Sequence, residues 1–394
     1  MKISNSGIMA FMAAVFFIAA CGGAREPVED IPAVQDADSV RRISIVLGGD
    51  VMQHLTQVHS ARRDSTYDYA ECFRYVKPFF DSADLVIVNF ETTVSGNGRY
   101  SGYPLFSSPP HLAHALRDCG ADIVTLANNH MADKGRSGLE HTMAAIDSAG
   151  LRRTGVFLDS AEYRSMNPLY VDVKGVRLAL FNYTYGLNGM PAPKGSVVNL
   201  IDTVRIAADL ARIDRSATDH IMIYFHWGDE YVQNPGKAQR ELADWCHARG
   251  VDFVIGSHPH VLQPVETVRD SAGAVRGVTA FSLGNMVSNQ RQRRTDGGML
   301  LKIDIEHVGS ARPSISASYM LTWVYMPYRE GRLDYKILPL PVADTMLAGD
   351  PYAKRAFDLF VSDSHRLLSR DTTIREITAG PQREAAIGPG NPLP

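Results

Sequence analysis

The chain contains no Gly-x-Ser-x-Gly elbow, no Walker-type phosphate loop and no His-Glu-x-x-His pair. Those absences exclude the familiar signatures of serine hydrolases, P-loop nucleotide hydrolases and zincin proteases. An excess of one charge sign is also missing. The 40 Lys and Arg residues against 43 Asp and Glu leave a formal net charge of −3, which gives no electrostatic argument for nucleic acid, since that demands a basic patch or stripe. A local anion site is compatible with the balance. Cysteine is scarce, at 4 in 394 residues. Cys72, Cys119 and Cys246 sit in helix-like stretches, at spacings that form neither a disulfide framework nor a zinc ribbon. They read as small buried hydrophobes, with one pair open to bridging in an oxidising compartment. With 45% hydrophobic and 21% charged residues, the rest is ordinary globular composition, enough for one large core or two modest ones.

The one long apolar run, Ile8 to Ala20, is too short to span a bilayer comfortably. It comes after a single Lys2 and ends in Ile18-Ala19-Ala20-Cys21, so residues 1–21 read as a signal peptide. That ending resembles a bacterial lipobox, which implies lipidation of Cys21; a plain secretory signal or an uncleaved anchor are the alternatives. Residues 22–41 are polar, proline-containing and aperiodic, as a flexible tether to a membrane would be.

From Arg42 onward, short apolar runs alternate with helix-length amphipathic stretches. Strands are expected at 43–48, 85–90, 122–127, 220–225 and 252–257, with helices near 71–81, 110–119, 136–149, 202–215 and 236–249. This alternation predicts an α/β architecture with a largely parallel sheet. A hairpin is expected to turn at Lys174-Gly175. After residue 262, strands succeed one another without helices, which predicts an antiparallel second half. The main domain is placed at 42–345; residues 346–394 read as a last amphipathic helix near 352–368 and a tail that is loose from Asp371.

The residues at the end of each of the five strands carry the chemistry. The strands end in Gly48-Gly49-Asp50, Asn89-Phe90-Glu91, Asn128-Asn129-His130 (Asp133 just after), His226-Trp227-Gly228 and Ser257-His258-Pro259-His260. Ligands of open α/β sheets bind beyond the carboxyl ends of the strands. Any one of these endings is compatible with a cap or a turn. Together they bring to one edge residue types that coordinate borderline divalent metals such as Zn, Fe or Mn. Asp50, Glu91, Asn129, His226, His258 and His260 make six candidate ligands, more than one tetrahedral ion needs. Six suffice for two ions sharing a carboxylate. Pro259 is expected to push His258 toward extended backbone, leaning both imidazoles of the pair to one side. His130 is the candidate acid for the leaving oxygen, or a hydrogen-bond donor to the phosphoryl group. Asp133 either orients the His130 ring or caps the next helix.

GGDVM (48–52), VNFETTV (88–94), TLANNHMADKG (125–135), FHWGDEY (225–231), VIGSHPHVLQPVE (254–266) and FSLGN (281–285), in this order, resemble the CapA-type family of poly-γ-glutamate capsule synthesis proteins. That family is similar in fold to calcineurin-like metallophosphoesterases. The resemblance covers roughly residues 43–290 and implies an α/β fold, a four-layer αββα sandwich of two mixed sheets. It implies Asn129 as a metal ligand, His130 as the catalytic residue, and Asn89, Asn128, Trp227, Tyr231 and Asn285 around the substrate or behind the ligands. Trp227 and Tyr231 suit either stacking on substrate or core packing. One departure stands out. The wider phosphoesterase pattern ends its first strand in Asp-x-His, whereas here the third residue is Met52, a poor ligand for a hard divalent ion. Arg291, Arg293 and Arg294 either line an anionic substrate path or form a solvated loop.

The expected function is that of an envelope-anchored protein on the periplasmic or outer side of a membrane. It would act as a metal-dependent, phosphoesterase-type hydrolase with one or two Mn, Fe or Zn ions, in synthesis or export of an anionic capsule polymer. The alternative is a non-catalytic binding subunit of a membrane synthesis and export complex.

Overall fold

A computed structural model describes residues 40–329 and 331–381. The signal-like segment with Cys21, the tether up to residue 39 and the tail beyond 381 lie outside the described residues. Among the described residues, no helix is long and apolar enough to cross a membrane.

Two mixed sheets carry the fold. The first runs, in spatial order, Lys336–Pro339, Ser314–Tyr325, Gly297–Val308, Val40–Met52, Leu85–Glu91, Ile123–Thr125 and Arg152–Thr154. Two short strands add to it: Asn285–Val287 beside the first strand, and Arg375–Glu376 beside Ser314–Tyr325. The second sheet runs Val265–Arg269, Val275–Ala280, Phe253–Ser257, His220–His226, Val176–Thr184 and Leu169–Val173. The last two form the hairpin turning at Lys174-Gly175.

Alternation along each strand builds the layers, because successive side chains point to opposite faces. In the first strand Ile45 and Leu47 face inward, meeting Leu178, Leu180, Tyr224, Phe253 and Ile255 of the second sheet in one core. Val46, and Val86, Val88 and Phe90 of the next strand, face outward onto Leu112, Leu116, Leu139 and Met143 of the helices His111–Cys119 and Gly135–Ser148. On the far side, Phe181, Ile223 and Phe225 pack against Ile206 and Leu210 of Thr203–Ala211 and Ala243 and Cys246 of Lys237–His247. Helix, sheet, sheet and helix therefore stack as a four-layer αββα sandwich. Cys72, Cys119 and Cys246 are all buried free thiols.

Several segments differ from expectation, among them two short helices not expected, Leu55–Ala61 and Ser160–Met166. The first strand begins at Val40, pairing with Val308, so the last two residues assigned to the tether belong to the sheet. The helix expected near 71–81 is split into Ala70–Phe73 and Lys77–Phe80, because Pro78 has no N–H to donate to the preceding turn. A helix not expected, Leu340–Leu347, starts at a proline in its first turn. The segment after Asp371 is ordered as far as it is described. Arg375–Glu376 joins the sheet, and the Asp371 carboxylate accepts hydrogen bonds from Thr267 N (2.8 Å) and Thr267 Oγ1 (2.9 Å). The Pro351–Leu368 helix places Phe357, Phe360, Leu367 and Leu368 in the inter-sheet core.

Candidate functional site

The carboxyl ends of the parallel strands from both sheets meet at one edge. In the first strand, pairing with Leu85–Glu91 shifts register between Gly48 and Asp50, a bulge of the kind that re-aims a side chain. Gly49 is needed there, since a Cβ would lie 2.0 Å from Gly284 O. The bulge turns Asp50 into the site, fully buried. Asp50 Oδ1 accepts from Asn89 Nδ2 at 2.8 Å, and Oδ2 accepts from His258 N at 3.3 Å and lies 3.1 Å from His260 Nδ1. Asn89 is held in turn by Thr125 Oγ1 at 3.1 Å. Glu91 closes the second strand, in register with Met52.

The third strand stops at Thr125, three residues before the asparagine pair. Ala127 N donates to Asn182 Oδ1 of the second sheet at 2.6 Å, pinning the loop. Asn128 donates to Phe90 O and accepts from His130 N, so it shapes the loop from within. Asn129 places Oδ1 2.9 Å from His226 Nε2. His130 Nδ1 lies 2.8 Å from Asp133 Oδ2, which also accepts from Phe106 N at 2.7 Å. Asp133 therefore orients the His130 ring and fixes its tautomer with the proton on Nδ1. The helix Gly135–Ser148 has Lys134 at its N-cap and no side-chain cap.

The His258-Pro259-His260 segment departs from the extended backbone expected of it. His258 has φ +98° and His260 φ +56°, both in the left-handed region that non-glycine residues rarely adopt. Three contacts hold this turn. His258 N is bound by Asp50, Tyr231 N donates to Pro259 O at 2.8 Å, and Trp227 N donates to Ser257 O at 3.1 Å. Upstream, a Cβ on Gly256 would lie 1.8 Å from Phe281 O, so only glycine lets the strands close there.

Glu91 defines the electrostatics. It is 0% exposed, and neither carboxylate oxygen has a hydrogen-bond partner. Burial, then the neighbouring Asp50 charge, hold its pKa well above the usual carboxylate range. Burial and the surrounding imidazoles hold His226 well below its ordinary value and push His258 down to about 3. His258 Nδ1 is likewise buried without a partner. A buried carboxylate with both oxygens free of hydrogen bonds, beside imidazoles held neutral, is a donor set suited to a cation. Glu91 belongs to two candidate ligand groups, one with His258 and His260 and one with Asp50 and His226. The donor set fits a divalent metal, and Glu91 is the residue placed to be shared by two ions.

The outlying residues sort clearly. Trp227 is buried, stacks on Phe225 at 4.7 Å and donates Nε1 to Phe281 O at 2.9 Å, so it packs the strand end and offers no face to substrate. Tyr231 is exposed, its ring 6.2 Å from His260. Arg293 and Arg294 both bind Asp363 of the Pro351–Leu368 helix, so the loop is tied down and not simply solvated. Arg291 donates to the carbonyls of Val324 and Ser288. Three residues at the site, Tyr185, His54 and Phe106, had no signal in the strand-end pattern. Tyr185 lies against His258 at 4.5 Å with its hydroxyl toward Asn188. His54 packs edge-on against Phe106, which also packs edge-on against His130. Burial, opposed by its contact with Gln57 and reinforced by the charges of His260 and His130, brings His54 to about 4.

Two facing mixed sheets flanked by helices thus carry a carboxylate, amide and imidazole cluster at their strand ends. Residues 44–290 match the family model of the bacterial capsule synthesis protein PGA_cap, and the chain belongs to that family. It is 29% identical to the capsule biosynthesis protein CapA of Bacillus anthracis over 68% of this chain and 66% of that protein. It is 28% identical to the PGA biosynthesis protein CapA of Bacillus subtilis (strain 168), over 61% of this chain and 62% of that one. The chain thus spans just under two thirds of the length of these relatives. Among solved structures, a 5'-nucleotidase from Candida albicans SC5314 aligns over 82% of this chain and 58% of that chain, at 14% identity and a TM-score of 0.40.

Proposed function

We propose that the chain is a metal-dependent hydrolase of phosphoester bonds, serving synthesis or export of an anionic capsule polymer of the poly-γ-glutamate kind. The observation that carries this reading is Glu91, fully buried with two bare oxygens between two imidazole-containing groups. Asp50, Glu91, Asn129, His226, His258 and His260 would hold one or two Mn, Fe or Zn ions. Such ions supply Lewis acidity toward a phosphoryl oxygen and a hydroxide nucleophile near neutral pH. His130 contributes the proton. With Nδ1–H donated to Asp133, its Nε2 is the ring nitrogen left to face substrate, and protonated there it delivers a proton to the leaving oxygen. Asp133 keeps that orientation by accepting from both His130 and Phe106. Family membership supports a role in capsule synthesis. The lipobox-like ending at Cys21 supports a lipid anchor in the cell envelope, beside membrane subunits of the same assembly.

The test joins elemental analysis to a phosphomonoester and phosphodiester screen on one preparation. Mn, Fe or Zn bound, with hydrolysis abolished in His130→Ala while metal is retained, is the expected result. Protein that binds no divalent metal even on reconstitution defeats the proposal. Metal-loaded protein inert on the whole panel makes the chain a binding subunit. Cys21→Ser is expected to abolish lipid labelling; labelling that persists refutes the anchor.

A further inference from the structure

Met52 leaves the first-strand corner of the site one donor short of the Asp-x-His pattern, and the structure contains a group positioned to make up the deficit. Asn285 is fully buried in the strand Asn285–Val287, which pairs in parallel with the first strand so that Asn285 stands in register with Asp50. Asp50 N donates to Gly284 O at 3.0 Å, fixing the two backbones against each other. The orientation of the amide is determined by its neighbours. Asn285 Nδ2 has two protons and two acceptors, Gln290 Oε1 and Thr295 O, each at 2.8 Å. Both are oxygens that accept, so the nitrogen must face them and Oδ1 must face the site.

There Oδ1 meets a crowded nitrogen. His260 Nδ1 lies 3.1 Å from Asn285 Oδ1 and 3.1 Å from Asp50 Oδ2. A neutral imidazole carries one proton, on one nitrogen. If Nδ1 holds it, the charged carboxylate is the stronger acceptor, and the Asn285 carbonyl is left without a donor of its own. If Nε2 holds it, neither oxygen receives a proton and three lone-pair donors converge. In both cases a buried carbonyl oxygen points at the Asp50–His260 side, and its one protein partner there is a nitrogen it shares with Asp50. Ligands that share a divalent ion at bonds of about 2.1 Å stand roughly 3 Å apart when they subtend a near right angle.

We propose that Asn285 Oδ1 is a metal ligand on the Asp50–His260 side of the site, supplying the donor that Met52 cannot. The assignment rests on the reading of this cluster as a divalent metal centre. Its consequence is that the chain holds two ions in spite of Met52, with an amide oxygen in place of an imidazole. An oxygen donor also biases that side toward the harder of the candidate metals, Mn over Zn.

The test is metal stoichiometry of the full chain after saturation with Mn²⁺ and dialysis, with a chelator competition on each preparation. Wild type is expected to hold two equivalents and Asn285→Ala one, with the remaining ion released at unchanged chelator concentration. Asn285→Asp keeps an oxygen donor and is expected to retain two. In Asn285→Ala, adding Met52→His is expected to restore the second equivalent. Should the alanine variant fail to fold, the Co²⁺-loaded Asn285→Asp protein gives the answer through its visible absorption. A changed d–d spectrum is expected, and a spectrum identical to wild type overturns the assignment. Asn285→Ala retaining two ions at wild-type affinity, or wild type holding only one, also overturns it and leaves the metal centre intact. Wild type that binds no metal defeats the underlying reading instead.

Discussion

Replacing Glu91 by glutamine separates a metal ligand from a merely buried acid, because its effect on stability should change sign with metal. Without metal, Glu91 is a fully buried carboxyl with no hydrogen bond to either oxygen, His226 Nε2 and His260 Nε2 standing 3.5 and 3.7 Å from Oε1, and its pKa is held well above the usual range. A raised carboxyl stabilises the fold below its ordinary pKa, and that contribution is lost as pH rises toward the folded value. At pH 7.5, above the ordinary carboxyl range, the wild type bears this cost either as a buried charge or as a proton taken up on folding. An uncompensated buried charge costs about 3–5 kcal/mol, and a buried amide lacking partners costs about 1–3 kcal/mol. The difference leaves Glu91→Gln more stable by roughly 2 kcal/mol in chelator, which at about 1.4 °C per kcal/mol in a fold this large is a rise in Tm of about 3 °C. With metal at about a thousandfold excess over its Kd, wild type gains about 4 kcal/mol, and the variant loses most of it. Melting curves of both proteins, with EDTA and with Mn²⁺, give four numbers. A variant that melts below wild type in EDTA, with wild type indifferent to metal, refutes the reasoning.

His130→Ala is expected to lower kcat by about 10²–10⁴, and Asp133→Asn to lower kcat as well, with the metal content of both variants unchanged by elemental analysis. Gly49→Ala drives a Cβ to 2.0 Å from Gly284 O and is expected to cost several kcal/mol in a urea titration while loosening metal. His307 sits buried at 3.0 Å from His220, Nε2 to Nε2. Burial, then His220 and Arg41, hold its pKa below the ordinary value, with Asp219 opposing. A lowered histidine stabilises above its ordinary pKa and loses that contribution as pH falls, so His307→Gln is expected to flatten the decline in stability from pH 7 to 5 relative to wild type. A parallel decline in the two proteins refutes that role.

The strand ends were legible because each candidate ligand lies within a few residues of an unmistakable apolar run. Ile43–Leu47, Leu85–Val88 and Ile221–Phe225 announce strands, and the residue that ends each is read off directly. Topology then brings the ends together. What stayed hidden depends on contacts between segments far apart in the chain. Trp227 beside His226 looks equally suited to stacking or packing until Phe281 O is seen accepting its N–H. Arg293 and Arg294 look like a free basic loop until Asp363, some 70 residues on, meets both. His54 has no period and no motif, and only the fold brings it to Phe106 and His130.

The His-Pro-His turn shows why such sites defeat local rules. Extended geometry is what a residue before proline prefers, yet both histidines are left-handed. Two such residues cost about 1–3 kcal/mol each, so something outside the turn must offset the strain. Asp50 grips His258 N from the other sheet, Tyr231 N holds Pro259 O, and the close approach at Gly256 leaves the strand no room to relax. Asp50 is thus both a candidate ligand and the anchor of the turn that carries two others. Its removal should release the backbone as well as a donor. Asp50→Asn keeps an oxygen for His258 N and should preserve the turn while weakening metal, whereas Asp50→Ala should lose both. Backbone exchange at His258–His260 in chelator, fast in the alanine variant and slow in the asparagine one, distinguishes anchoring from ligation; equal protection in both would mean that the strain is held elsewhere.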